Sequence, residues 1–153
     1  MEIQVVTLQP KKVVGIGWTG PYSELHHIPK LFDELAGREQ DIQKRKGSSY
    51  ICPFHGRKTD FTYYVTVEVE AFDRVPEGMV ALDLPAQTYA STTFHGHAKD
   101  VQEAYVTVFR WMEEQGYKQD YHALSLEIYH EEDEDINRSE DERKFDLYVP
   151  LIK

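Results

Sequence analysis

Alternation of apolar and polar positions dominates this chain. The clearest instance is 61–72, where Tyr63, Val65, Val67 and Val69 fall on one side and Tyr64, Thr66, Glu68 and Glu70 on the other. A strict period of two predicts a strand with one buried face. Shorter extended runs are predicted at 3–8, 13–18 and 48–54. Between the last two, Ile28, Leu31, Phe32 and Leu35 change the period to i, i+3, i+4, i+7, which predicts a helix. Ser23 is the expected cap, Pro29 is tolerated in the first turn, and Gly37 is the expected end, with the charged stretch to Lys46 able to prolong it. The same order returns after Val75-Pro76-Glu77-Gly78: strands at 79–84 and 87–94, a helix at 99–115 closed by Gly116, and strands at 124–130 and 145–152. The second helix carries Val101, Ala104, Tyr105, Val108, Phe109 and Met112 as its apolar stripe.

The pattern predicts an α+β fold of one domain over 1–153. It reads as a tandem duplication of a strand–helix–strand–strand unit with antiparallel sheets, repeat one about 1–76 and repeat two about 77–153. His95-Gly96 takes the place of Thr19-Gly20, and Val67-Glu68-Val69 aligns with Val149-Pro150-Leu151. The plainer alternative is that any α+β chain can be cut into similar halves.

Composition narrows the partners. The formal net charge of the 153 residues is −10, which disfavours direct contact with phosphate backbones or anionic membranes. Cys52 is the only cysteine, so no internal disulfide forms and a cytoplasmic location is expected. No signal peptide and no membrane-length apolar run is visible. Eight carboxylates crowd 131–142, a stretch expected to be a solvated loop.

The chemistry centres on Glu127. In Leu124-Ser125-Leu126-Glu127-Ile128-Tyr129, Leu126 and Ile128 share one face while Ser125, Glu127 and Tyr129 share the other. If that second face is wet, Glu127 is an ordinary surface carboxylate. If it lines a cleft, Glu127 is a partly desolvated carboxylate among aromatic rings, suited to a cation, a hydrogen-bond donor or proton transfer. Trp18, Tyr22, Phe54, Tyr63, Tyr89, Phe94, Trp111, Tyr129 and Tyr148 are the candidate walls, with core packing the competing use, above all for Trp111 beside the helical stripe. Tyr148 alternates against Leu147 and Val149 and is expected to face the ligand. Among the seven histidines, Cys52-x-x-His55, His95-x-His97 and His26-His27 are the closest pairs. None makes a three- or four-ligand pattern, so no metal is expected. The 131–142 run lacks the glycine of a calcium loop, and no glycine elbow or phosphate-cradling loop is present.

The chain as a whole resembles the DNA gyrase inhibitor-like (GyrI-like) small-molecule-binding domains, which also occur as effector-binding domains of AraC-type and multidrug-responsive transcription activators. The resemblance is carried by Phe61-x-Tyr63-x-Val65-x-Val67-Glu68-Val69, by Tyr105 to Trp111 ahead of Glu113-x-x-Gly116-Tyr117, and by Leu126-Glu127-Ile128-Tyr129 followed by Leu147-Tyr148-Val149-Pro150-Leu151. It implies the duplicated fold, a ligand cleft between the repeats and Glu127 at its base. Pro53-Phe54-His55-Gly56 replaces the Asp-Pro pair often found after the second strand, and the loop after Glu127 is unusually acidic, so ligand identity does not transfer. No helix-turn-helix segment is visible, so a stand-alone member is expected.

Three functions follow. The first is capture of a small hydrophobic, planar or cationic organic molecule, for sequestration or signalling to a separate regulator, with His95 added to the walls. The second is hydrolysis of strained electrophiles such as cyclopropane-bearing toxins, with Glu127 orienting or deprotonating water and Tyr63 or Tyr148 donating a proton. The third is an acidic protein-interaction module protecting DNA gyrase. No cofactor is expected; a heme, suggested by a related fold, would need His95 or His26 as axial ligand, and nothing singles out either.

Overall fold

The computed structural model describes residues 1–152. The strands are β1 (Gln4–Leu8), β2 (Lys11–Pro21), β3 (Arg45–Gly56), β4 (Asp60–Val69), β5 (Val80–Leu84), β6 (Gln87–His97), β7 (Ser125–Tyr129) and β8 (Glu142–Pro150). The helices are α1 (Ile28–Ala36), α2 (Val101–Gln115) and a short α3 (Glu134–Arg138). The chain folds into two compact units, one of residues 1–9 and 86–153 and the other of Pro10–Pro85.

Both units use one topology. The first has strand order β1-β6-β8-β7 and the second β5-β2-β4-β3, all neighbours antiparallel. Strand for strand these orders are equivalent, with one exchange: the opening strand of each half joins the sheet of the other half. Leu8 pairs with Gln87, and Lys11 pairs with Leu84. Pro10 and Pro85 sit at the two junctions, where proline ends a ladder by removing a donor. The boundary read from sequence near residue 76 therefore differs from the unit boundaries at 9/10 and 85/86. Periodicity reports that β1 and β5 are strands, but not which sheet they join.

In the second unit the period of two in β4 resolves as expected. Tyr63, Val65, Val67 and Val69 are buried. On the opposite side Thr66 is also buried, its hydroxyl donating to the Ile51 carbonyl at 2.6 Å. Helix α1 packs Leu31 and Leu35 inward. It begins at Ile28 and not beside Ser23, because residues 22–27 form a 3-10 turn with a kink at Glu24. It ends at Gly37 without running on toward Lys46. Gly15 is required by packing: a Cβ there would press into the Val65 carbonyl and stand 2.6 Å from the Thr66 Cα.

In the first unit α2 buries Ala104, Val108 and Met112 against Ala90, Phe94, Phe145, Leu147 and Val149. Gly116 closes the helix in a left-handed conformation (φ 79°), and the Tyr117 N–H reaches back to the Met112 carbonyl at 2.8 Å. The acidic stretch 131–142 is solvated as expected, seven of its eight carboxylates being exposed, but it is not a loop throughout. It forms a 3-10 turn and α3, with Asp133 buried and paired to Lys144 at 3.2 Å. Asn137 donates to the carbonyls of Asp133 (3.2 Å) and Lys144 (2.9 Å), which ties the segment to β8.

Candidate functional site

Register between β7 and β8 decides which side chains meet Glu127. Glu127 lies opposite Leu147, while Leu126 lies opposite Tyr148 and Ile128 opposite Asp146. Side chains alternate along each strand, so Glu127 shares the α2 face with Leu147 and Phe145. There it is only 8% exposed, which rules out the reading of Glu127 as an ordinary wet carboxylate. A carboxylate withdrawn this far from water must be hydrogen-bonded. The Tyr105 hydroxyl on α2 donates to Oε2 at 2.6 Å, and the Tyr129 hydroxyl donates to Oε1 at 3.3 Å. Neutral donors fix the position of the group and add no positive charge. The Tyr129 ring is itself seated on Phe145, ring centroids 5.0 Å apart, and Phe145 on Phe94 at 5.6 Å.

Tyr105 entered the sequence reading as part of the helical stripe and of the Tyr105 to Trp111 motif, and not as a candidate site residue. The signal was present: a tyrosine within an apolar helical stripe carries a hydroxyl that needs a partner.

The other expected wall residues separate by face and by unit. Tyr89 and Tyr148 form an edge-to-face pair at 5.6 Å, on the sheet face opposite Glu127 by register. Tyr148 thus does face away from Leu147, and for that reason away from Glu127 as well. His95 is exposed on this same side and lies 3.1 Å from Glu142. Trp111 is half-buried against the α2 core and stacks on Tyr117 at 5.7 Å.

Burial pushes the Tyr89 hydroxyl up to about 12, helped by Tyr148, and burial followed by the Asp146 charge raises Tyr148. A raised folded-state value gives stability that is whole below the unfolded value and is lost as pH rises through the folded one. The thermal midpoint should therefore decline between about pH 10 and about pH 12, and Tyr89→Phe should flatten that decline in a melting series across alkaline pH.

The second unit carries its own ring cluster on the α1 face. Phe54, Phe61 and Tyr63 are mutually within 6.0 Å. Trp18 abuts Phe61 at 6.5 Å, and Phe32 abuts Tyr63 at 6.4 Å. Tyr22 is exposed, its ring 5.8 Å from Phe61 and its hydroxyl donating to the Arg57 carbonyl at 2.6 Å.

Strand registers place the two clusters in correspondence. Trp18 pairs with Tyr63 as Phe94 pairs with Phe145. Phe54 pairs with Tyr63, and on the same register Cys52 stands across from Val65 as Glu127 stands across from Leu147. Phe32 and Tyr105 are each fifth in their helices. Tyr105, Glu127 and Tyr129 thus have Phe32, Cys52 and Phe54 as counterparts. One copy of the unit holds a carboxylate and two hydroxyls, and the other holds a buried thiol and rings.

The fold that carries this carboxylate has known relatives. The family model of the GyrI-like small molecule binding domain matches residues 1–152. The chain belongs to that family. The transcriptional regulator BrlR of Pseudomonas aeruginosa is 29% identical over 111 residues, covering 71% of this chain and 41% of BrlR. The chain thus matches about two-fifths of that regulator's length. Among solved structures, SAV2435 bound to tetraphenylphosphonium superposes with a TM-score of 0.73 at 19% identity, covering 99% of this chain and 94% of that one. The EcmrR C-terminal domain gives 0.71 at 16% identity, covering 99% and 98%. The GyrI-like chain has no described helix long and apolar enough to cross a membrane.

Proposed function

We propose that this GyrI-like domain captures lipophilic organic cations, with Glu127 as the counter-charge and aromatic rings as the contact surface. The observation that carries this reading is the burial of Glu127 between the hydroxyls of Tyr105 and Tyr129. A carboxylate kept away from water and held in one geometry attracts a cation more strongly than an exposed one, because the local dielectric is low. Aromatic faces add cation–π attraction. The tetraphenylphosphonium carried by SAV2435 is a ligand of this class. Binding serves sequestration or signals to a separate regulator.

Hydrolysis is the second reading. Both oxygens of Glu127 already accept hydrogen bonds from tyrosine hydroxyls, which suits a fixed counter-charge better than a base that must collect a proton. Incubation with a cyclopropane-bearing electrophile should give stoichiometric complex and no hydrated product; accumulation of product would favour the hydrolase.

The binding reading is tested by titrating the domain with tetraphenylphosphonium under calorimetry. Saturable one-site binding is expected, and Tyr105→Phe should weaken it by up to about ten- to a hundredfold, the worth of one hydrogen bond to a charged group, about 1.5–3 kcal/mol. No binding at millimolar ligand would dismiss the reading.

A further inference from the structure

We propose that Glu24, His26 and His27 form a surface site for a late first-row divalent ion, copper(II) or zinc(II), separate from the Glu127 site. One donor atom from each of the three lies within 4.8 Å of the other two. Successive residues of a 3-10 turn point about 120° apart, so adjacent histidines ordinarily diverge. Here the His26 and His27 rings stack instead, centroids 4.7 Å apart and planes inclined by 30°. The kink at Glu24 (φ −113°, ψ 21°) lies in the same turn, and Oε2 of Glu24 stands 2.9 Å from Nε2 of His27. That hydrogen bond accounts for His27 and Glu24. His26 reaches the same spot by stacking on His27.

The donor chemistry selects the ion. Two imidazole nitrogens and one carboxylate suit zinc, copper and nickel, with copper(II) the strongest in the usual affinity order. Calcium and magnesium, which want an all-oxygen shell, are disfavoured. Bonds of about 2.0–2.2 Å to nitrogen and oxygen place donors roughly 3.3 Å apart around a tetrahedral ion. The 2.9 Å between His27 and Glu24 needs to open by only a few tenths of an ångström, and the His26 donor lies within 4.8 Å of both. The ion takes the place of the proton shared by Nε2 of His27 and the Glu24 carboxylate. That proton leaves to solvent, the nitrogen lone pair and carboxylate oxygen bind the metal, and water completes its shell at this exposed position. The net charge of −10 raises the local cation concentration.

The sequence reading passed over this site because His26-His27 supplies only two ligands. The third, Glu24, belongs to a residue type whose ligand role shows only once the turn is folded.

Trp18 supplies a readout, since its ring lies 5.8 Å from that of His27. Copper(II) added as its glycine complex should quench Trp18 fluorescence in a saturable, one-site titration, and zinc(II) should compete. Glu24→Gln and His27→Gln should each weaken binding at least about tenfold. The His26→Gln/His27→Gln double variant should abolish it, while His95→Gln/His97→Gln binds as the natural protein does. Trp18→Phe should remove the quenching and keep the calorimetric binding. Glu24 and His26 are exposed and His27 half-exposed, so circular dichroism should be unchanged in every variant. Wild-type copper affinity in the His26→Gln/His27→Gln variant would overturn the proposal, as would loss of binding in His95→Gln/His97→Gln.

Discussion

Glu127→Gln should weaken binding of a lipophilic cation more than tenfold, a loss above 1.4 kcal/mol. The amide has the shape of the carboxylate and can accept from Tyr105 through its one oxygen. Its NH2 then faces the Tyr129 hydroxyl, which must turn to accept, so the substitution removes the charge and reverses one hydrogen bond. A desolvated charge pair that loses one partner typically forfeits 2–5 kcal/mol, which places the expected loss above the tenfold line. Instability cannot mimic this result. A thermal midpoint measured on the same variant separates loss of affinity from loss of fold: it should stay close to that of the natural protein while affinity falls. Isothermal titration of both proteins with tetraphenylphosphonium reads the effect. Equal affinities would remove Glu127 from recognition.

Phe145→Ala should be the most damaging single substitution near the site. Phe145 is among the largest fully buried side chains of the molecule and carries Phe94 on one side and Tyr129 on the other. Truncating a buried phenylalanine costs about 3–5 kcal/mol through lost transfer energy and the cavity left behind. Against a total stability of roughly 5–15 kcal/mol, a melting-point drop on the order of 10 °C is expected at this size. Because Tyr129 loses its seat, cation binding measured well below the melting point should also weaken. A variant that melts within a degree or two of the natural protein would show that the Phe145 layer is not what supports the site.

The strands and helices were legible in the sequence because burial is one-sided in β4 and α2, and one-sided burial writes a period. Which residues share the face of Glu127 in β7 was legible from strand alternation alone, although Leu126, Glu127 and Ile128 are all buried. What periodicity does not encode is register between strands. A shift of one residue between β7 and β8 would have put Glu127 beside Tyr148; the register found puts it beside Leu147. Tyr148 and Tyr89 therefore left the expected wall, and Tyr105, hidden in the helical stripe, joined the site.

The acidic stretch was legible as solvated and not as structured. Its charge pattern describes a solvated segment, but Lys144 and Asn137 supply tertiary partners that local composition does not reveal. The exchange of β1 and β5 was likewise invisible, since both edge strands carry short patterns that fit either sheet. The resemblance to the GyrI-like family supplied an expectation that residue patterns alone left open, that Glu127 is turned away from solvent, and the structure shows it buried.

The central claim is that the negative charge of Glu127 selects cationic ligands. The measurement that tests it most directly compares methyltriphenylphosphonium with the nearly isosteric but neutral triphenylphosphine oxide on the natural protein. A preference for the cation of more than about tenfold, erased in Glu127→Gln, is the expected result. Equal affinity for the two compounds, or preference for the neutral one, would contradict it.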